Sequence, residues 1–120
     1  MGNITSSETK VKDDNAQIMR KLAKYPKIKG PIKARLSLGR ERYGHGVIVD
    51  ADTTQFGTKN DDWLEMAHEE FYDGIVYLAA EEIRRERNNK KGNRKKTAHI
   101  REARKQLIKT ILYLEANKNE

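Results

Sequence analysis

The longest uninterrupted helical pattern in this chain runs from Asp61 to Arg87. No proline interrupts it, and Asn60, Asp61 and Asp62 offer oxygen atoms to the first unpaired amides of a helix. Acidic residues are concentrated in its first half and arginines at its end, as the helix dipole favours. The sequence therefore predicts one helix of about seven turns, roughly 40 Å long at 1.5 Å per residue.

Apolar residues recur along this central helix at steps of three, four and five positions, which indicates a side that faces a core. They are Leu64, Ala67, Phe71, Ile75, Leu78 and Ile83. A last helix, from Lys96 or Thr97 to about Asn117, has a similar stripe and is predicted to pair antiparallel with the central helix. Because both stripes are wide for a small chain, we also expect a dimer in which Leu107, Ile111 and Leu114 are buried.

Three acidic residues of the central helix lie within one turn: Glu69, Glu70 and Asp73. Like charges so close together are unfavourable unless water or a cation relieves the repulsion. Carboxylates on one turn suit a hard divalent ion, so these residues are the candidate ligands for Mg²⁺, with Mn²⁺ as a substitute. A solvated acidic side of an amphipathic helix is the simpler interpretation and stays open.

The segment that begins Glu69-Glu70-Phe71-Tyr72-Asp73 and continues Gly74-Ile75-Val76-Tyr77-Leu78 resembles the EExxD helix of MazG-type all-α nucleoside triphosphate pyrophosphohydrolases. The resemblance covers about fifteen residues. It implies a helical bundle, usually dimeric or larger, that binds Mg²⁺ through carboxylates of two helices and cleaves a nucleotide to a monophosphate and pyrophosphate. Glu70 and Asp73 fall on the ExxD ligands, and together with Glu69 beside them they are the candidate catalytic residues. The ExxE pair of the family's preceding helix is absent from this sequence.

Composition limits the class of protein. The 120 residues suit one domain, 36% of them are charged, and no cysteine is present, which excludes disulfides and thiolate metal sites. No apolar run is long enough to cross a bilayer, so a cytoplasmic location is the default expectation. The net charge of +7 suits an anionic partner, either a nucleotide or nucleic acid.

Before the central helix the pattern is weaker. Residues 1–9 are predicted to be disordered, and residues 10–120 to form a single helical domain. A helix over 10–25 is predicted to end at Pro26, and a second to begin near Pro31 and to end at Gly44. The loop that follows, at about 44–60, is long, and its Val47–Val49 segment has the composition of a short strand.

A second distinctive segment lies at the predicted end of that second helix. Arg40 and Arg42 are candidates for phosphate binding, and Tyr43 for contact with a base. Gly44 and Gly46 would let backbone amides approach an anion. A similar RYG segment occurs in some phage-type MazG-like sequences; an ordinary helix C-cap with a surface histidine is the alternative.

Several other residues are candidates for a site around the acidic turn. His45, Asp50 and Asp52 could replace the missing ExxE pair, although such aspartates commonly form turns. Glu41 is the one acid available in the preceding helix, whereas His68 is interpreted as a packing residue. Trp63 could cover a nucleotide base, although a tryptophan at a helix start is commonly a packing anchor.

The segment from Arg84 to Lys105 contains eleven lysines and arginines and only two acids. Arg84 and Lys95 are its candidate phosphate-binding residues, either for nucleic acid or at the mouth of a nucleotide pocket. A soluble hairpin tip is the third possibility. No aromatic residue alternates with these cations, which argues against the stacking of single-stranded bases.

The sequence thus predicts an all-α fold, an antiparallel bundle of three to four helices completed by dimerisation. The function expected first is a MazG-like, Mg²⁺-dependent nucleotide pyrophosphohydrolase or a degenerate relative. The alternatives are a non-catalytic basic helical protein that binds nucleic acid or a signalling nucleotide, of the kind found among bacteriophage accessory proteins, and a plain interaction module.

Overall fold

A computed structural model describes residues 12–88 and 93–119, without the side chains of residues 93–96. Within these ranges the chain is helical and contains no strand, which confirms the all-α class. The elements are α1 (Asn15–Lys21), α2 (Pro26–Tyr43), a short 3₁₀ helix (Thr53–Phe56), α3 (Trp63–Asn88) and α4 (Asn93–Ala116). The predicted disorder of residues 1–9 lies outside the described residues. No described helix has the length and apolarity needed to span a membrane.

The chain divides into two compact units, one ending at Ala51 and the other beginning at Asp52. The sequence predicted a single helical domain. The first unit contains α1 and α2, and the second contains the 3₁₀ helix, α3 and α4.

The second unit is an antiparallel helical hairpin of α3 and α4, as predicted. Glu82, late in α3, accepts hydrogen bonds from Arg101 Nε at 2.8 Å and from Arg104 at 2.9 Å, both early in α4. Further from the turn, Leu107 Cδ1 lies 3.3 Å from the position that a Cβ would take at Gly74. Contacts that run backward along α3 and forward along α4 establish the antiparallel direction.

The core of the hairpin follows the predicted stripes in part. Ile100 and Ile111 are buried, and Leu107 and Leu114 are half-buried on the same side of α4. The predicted stripe of α3 is half-buried at Ala67, Phe71, Ile75 and Leu78, whereas its two ends are exposed, at Leu64 and Ile83. Ile83 directly follows the buried Glu82, which bonds to α4, so Ile83 is rotated about 100° away from the contact between the helices.

The first unit is held together by the residues that begin α1, which bond to the segment after α2. Asp14 N donates to Val47 O at 2.7 Å, and Val47 N donates to the buried Asn15 side chain at 2.9 Å. Val49 N donates to Asp14 Oδ2 at 2.7 Å. The prediction of a short strand at Val47–Val49 is therefore wrong, because these backbone groups pair with the start of a helix instead of a second strand.

The boundary between the first two helices also differs from the prediction. The chain leaves the helical conformation at Tyr25, and Pro26 opens α2 instead of ending α1. Pro31 lies inside α2, where its missing N–H leaves the carbonyl of Lys27 without its usual helical donor. Both prolines can begin a helix, and the structure uses the first one. At the other end Gly44, with φ of 80°, caps α2 as predicted.

Two glycine substitutions in the first unit are expected to have opposite effects on its stability. At Gly46 an added Cβ would meet the buried Asn15 side chain at 2.5 Å, so Gly46→Ala should cost about 1–3 kcal/mol as an overpacking change. At Gly39, inside α2, an added Cβ meets nothing within 4 Å, so Gly39→Ala should add about 0.5–1 kcal/mol. Denaturant unfolding followed by circular dichroism measures both. Equal effects of the two changes would contradict the packing described here.

Candidate functional site

The three predicted metal ligands lie on an exposed turn of α3. Glu69, Glu70 and Asp73 are all solvent-exposed. Within the described part of the chain, no group of three or more histidine, aspartate or glutamate side chains is arranged to hold a metal ion. Adjacent residues of a helix point about 100° apart at 3.6 residues per turn, so Glu69 and Glu70 diverge into solvent. A metal ion at this turn would need further ligands from water or from a bound molecule.

The neighbouring helix does not replace the missing ExxE pair. The described acids of α4 are Glu102, which accepts from Gln106 within the helix, and Glu115, which accepts from Lys118 just after its end. Lys118 donates to Glu115 at 2.9 Å and, with a smaller effect from His68, lowers the pKa of that carboxyl. The structure shows no bond from either acid to the exposed turn.

The loop before α3 is fixed by a buried threonine that sequence analysis missed. Thr53 has no exposed surface, and its hydroxyl accepts from Asp62 N at 2.7 Å. The same oxygen lies 2.8 Å from the hydroxyl of Thr58, which donates to Asn60 O at 2.5 Å. Asp61 completes the network by accepting from Thr53 N at 2.9 Å. The start of α3 is therefore held in place by side chains of its own loop.

Glu65 ties the first turn of α3 back to this loop. Its two carboxylate oxygens accept from Lys59 N and Asn60 N, each at 2.8 Å. These bonds, with the bond from Lys59 contributing most, lower the pKa of Glu65. Asp62 caps the helix by accepting from Leu64 N at 2.8 Å, so it is the one of the three predicted capping residues that the structure shows in this role.

Asp52 is a turn former, not a free ligand. Its Oδ1 accepts from the hydroxyl of Thr54 at 2.7 Å and from Thr54 N at 3.0 Å, and these bonds lower its pKa. Asp50 and Glu41, the other acids proposed as substitutes for the ExxE pair, are exposed. Asp52 therefore agrees with the alternative interpretation, in which such an aspartate forms a turn.

The two histidines considered as ligands have local roles. His45 is exposed, and its Nδ1 lies 2.7 Å from Gly46 O. His68 is half-buried, with its ring 6.3 Å from those of Phe71 and Tyr72, as expected of a packing residue.

Arg40, a predicted phosphate ligand, forms an ion pair within the first unit. Its guanidinium donates to Asp13 Oδ2 at 2.6 Å, and the same oxygen accepts from Gly46 N at 3.3 Å. Burial alone would raise the pKa of Asp13, but the bonds from Asn15 N, Arg40 and Gly46 N outweigh it and lower the pKa. An anion at this position would have to compete with Asp13 for Arg40.

The remaining candidates are distributed along the chain. Arg42 and Tyr43 are exposed at the end of α2. Trp63 is partly exposed, and its ring lies 6.2 Å from that of Phe56, an arrangement that suits a packing anchor. Arg84 is exposed on α3, and the side chain of Lys95 lies outside the described part of the chain.

Part of the basic segment from Arg84 to Lys105 is neutralised by acids of α3. Arg85 pairs with Glu81 at 2.7 Å, and Arg101 and Arg104 both pair with Glu82. The two ion pairs with Glu82 lower the pKa of its carboxyl, with the hydrogen bond from Arg101 contributing most. The number of cations in the segment therefore overstates the charge that it offers to a phosphate.

Comparisons with known proteins add nothing to these observations, since no protein-family model, curated protein or solved structure matches the chain. The assignment of a function rests on the residues themselves.

Proposed function

We propose that the protein is a MazG-like nucleotide pyrophosphohydrolase, or a degenerate relative, in which Glu69, Glu70 and Asp73 bind Mg²⁺. One observation supports this proposal most. The three carboxylates that correspond to the EExxD pattern are exposed on one turn of α3. In the free chain, a site of this kind is open to a metal–nucleotide complex arriving from solvent.

The donor set suits Mg²⁺ even though one chain does not surround the ion. Mg²⁺ sheds water reluctantly and is usually held by one or two carboxylates together with the phosphates of a substrate. Glu70 and Asp73, three positions apart, share a helical face and can serve as that pair. Glu70 and Asp73 would hold the ion, which would supply positive charge to a bound triphosphate and Lewis-acid activation of water.

The role of the chain in this proposal is to hold the acidic turn still. Two sets of hydrogen bonds fix the first turn of α3, which lies immediately before the acidic turn. One is made by the Thr53 hydroxyl, and in the other the Glu65 carboxylate accepts from two backbone amides of the loop. A rigid helix keeps ligand carboxylates in place without an ordering cost on binding. Arg84 lies about 21 Å beyond Glu70 along the helix, at 1.5 Å per residue, and so is too distant to neutralise the same phosphates.

Metal binding can be tested without any assumption about the substrate. We expect Mn²⁺ to raise the melting temperature, because a ligand at 100 times its Kd stabilises the folded state by about 2.7 kcal/mol. Asp73→Asn should abolish the shift. Glu102→Gln, which removes an exposed carboxylate of α4, is the matched control and should retain it. An absent shift, or the same shift in Asp73→Asn, would rule out this metal site.

We also propose that the chain forms a homodimer through an outer apolar face, defined by Tyr72, Val76, Ile83, Ile108 and Leu112. Between 37% and 62% of each of these residues is exposed. Ile111, which was expected in the dimer interface, is already buried within the single chain. We therefore expect the dimer interface on this outer apolar face and not on the inner side of α4.

A further inference from the structure

The positive charge of the protein is concentrated in its first unit. Residues 12–51 contain ten lysines and arginines against four acids, a surplus of six. Residues 52–120 contain fourteen against thirteen, a surplus of one. The segment from Arg84 to Lys105, which looks like the basic region of the sequence, thus belongs to a nearly neutral unit.

Helix α2 presents most of this charge to solvent. Six of its eighteen residues are lysine or arginine and one is an acid, and all six cations are exposed. They are Lys27, Lys29, Lys33, Arg35, Arg40 and Arg42. Lys29 and Lys33, four positions apart, lie together on one side of the helix, and Arg35 and Arg42, seven apart, lie on another.

Little of this charge is neutralised within the unit. Among residues 12–51 the ion pair that the structure contains joins Arg40 to Asp13. Asp14 accepts backbone hydrogen bonds instead of a cation, and Asp50 and Glu41 are exposed. A compact unit with such a surplus has a positive potential that attracts polyanions.

The pattern of α2 favours a nucleic-acid duplex over a membrane surface or a single strand. Ile32 and Leu36, on its apolar side, are half-buried in the fold, whereas membrane binding needs an apolar side that is free to enter the bilayer. Two exposed aromatic residues, Tyr25 and Tyr43, lie at the two ends of the helix. Between them the helix contains no aromatic residue, whereas proteins that bind single strands stack successive bases on aromatic rings.

We propose that α2 is a sequence-independent binding site for duplex DNA, with its lysines and arginines on the phosphates. The helix is about 27 Å long at 1.5 Å per residue, and its cations lie on more than one side. With about five phosphate contacts, the slope of log K against log salt concentration should be about −4 to −5. This site does not depend on the acidic turn of α3, so the DNA-binding proposal can be tested independently of the proposed hydrolase activity.

The test compares two pairs of lysines with the same spacing in different units. Lys29→Gln with Lys33→Gln removes two charges from α2, and Lys105→Gln with Lys109→Gln removes two exposed charges from α4. Binding of a fluorescent 20-base-pair duplex is followed by anisotropy between 50 and 200 mM salt. The α2 pair should weaken binding by about tenfold or more and reduce the slope by about two, because each lost phosphate contact reduces it by about 0.9. The α4 pair should change the slope little.

Circular dichroism of each variant separates a lost contact from a lost fold. A third variant, Arg35→Gln with Arg42→Gln, keeps the proposal testable if the first unfolds. Equal losses from the α2 and α4 pairs would overturn the assignment to α2. Absence of binding at 50 mM salt, tighter binding of a single strand, or α2-dependent binding to anionic vesicles but not to duplex would each overturn the choice of ligand.

Discussion

Glu70→Gln is expected to reduce pyrophosphate release from the preferred nucleoside triphosphate at least ~100-fold, the scale seen when one key electrostatic group is removed. The substitution keeps the shape of the side chain and removes its charge. A carboxylate that positions a metal ion acts more strongly in the transition state than in the ground state, so nucleotide affinity should change much less than turnover. Pyrophosphate release from a panel of ribo- and deoxynucleoside triphosphates with Mg²⁺ measures the effect.

The matched control for this experiment is Glu86→Gln. Glu86 is also an exposed glutamate of α3, but it lies near the C-terminal end of the helix, far from the acidic turn. It should leave turnover unchanged. If the wild-type protein releases no pyrophosphate from any nucleotide of the panel, the hydrolase proposal fails, whereas the DNA-binding proposal for α2 is unaffected.

Val76→Lys is expected to convert a dimer into a monomer. In the free chain 61% of Val76 is exposed, and burial of a valine contributes about 1.5 kcal/mol or more. A two-fold interface loses that contribution twice, so the dimer should weaken by about 3 kcal/mol, or about 100-fold in Kd, before any cost of burying the new charge. Light scattering at high micromolar concentration distinguishes the 13.9 kDa monomer from a particle of twice that mass.

The outer apolar face follows from the antiparallel geometry of the hairpin. Tyr72 and Val76 come directly after the half-buried Phe71 and Ile75, and Leu112 comes directly after the buried Ile111. In two antiparallel right-handed helices, positions directly after core positions lie on the same side of the pair. Helices of 26 and 24 residues are about 36–39 Å long, and two of them side by side are about 20 Å wide. This side therefore has an area of about 700 Å², close to the roughly 800 Å² that each partner buries in a standard interface.

Tyr77→Lys provides the control for the dimer prediction. Tyr77 is 68% exposed, comparable to Val76, but it is rotated by about 100° around α3, away from the outer apolar face. This variant should remain dimeric. A wild-type monomer at high micromolar concentration would contradict the dimer, and a monomer produced equally by both variants would contradict the choice of face.

The sequence predicted best those elements whose signals are local and agree with one another. The central helix was expected at Asp61–Arg87 and is found at Trp63–Asn88, because apolar period, capping oxygens and an absence of proline all indicate the same boundaries. The division between α1 and α2 was wrong because Pro26 and Pro31 are each compatible with a helix start. Local sequence does not choose between them.

The hydrogen-bond networks around the site were beyond sequence analysis for a different reason. Thr53, Thr58 and Glu65 have roles that depend on partners several positions away in a loop whose path has no period. Asp13 and Asn15 bond to residues about thirty positions later. The folded backbone brings such pairs together, so they cannot be predicted from the residue types alone. The one local clue was Asp52 before two threonines, a common turn-forming combination.

The paired bonds from Arg101 and Arg104 to Glu82 have a consequence for how the hairpin could change during evolution. Sliding α4 along α3 by two turns, about 11 Å, would carry both donors away from the acceptor. The alignment of the two helices is thus set by side chains within them, and residues 89–92 do not have to encode it. Insertions or deletions between the helices should be tolerated as long as Glu82, Arg101 and Arg104 are kept, whereas a single-residue deletion inside either helix would put the acceptor and its donors out of step.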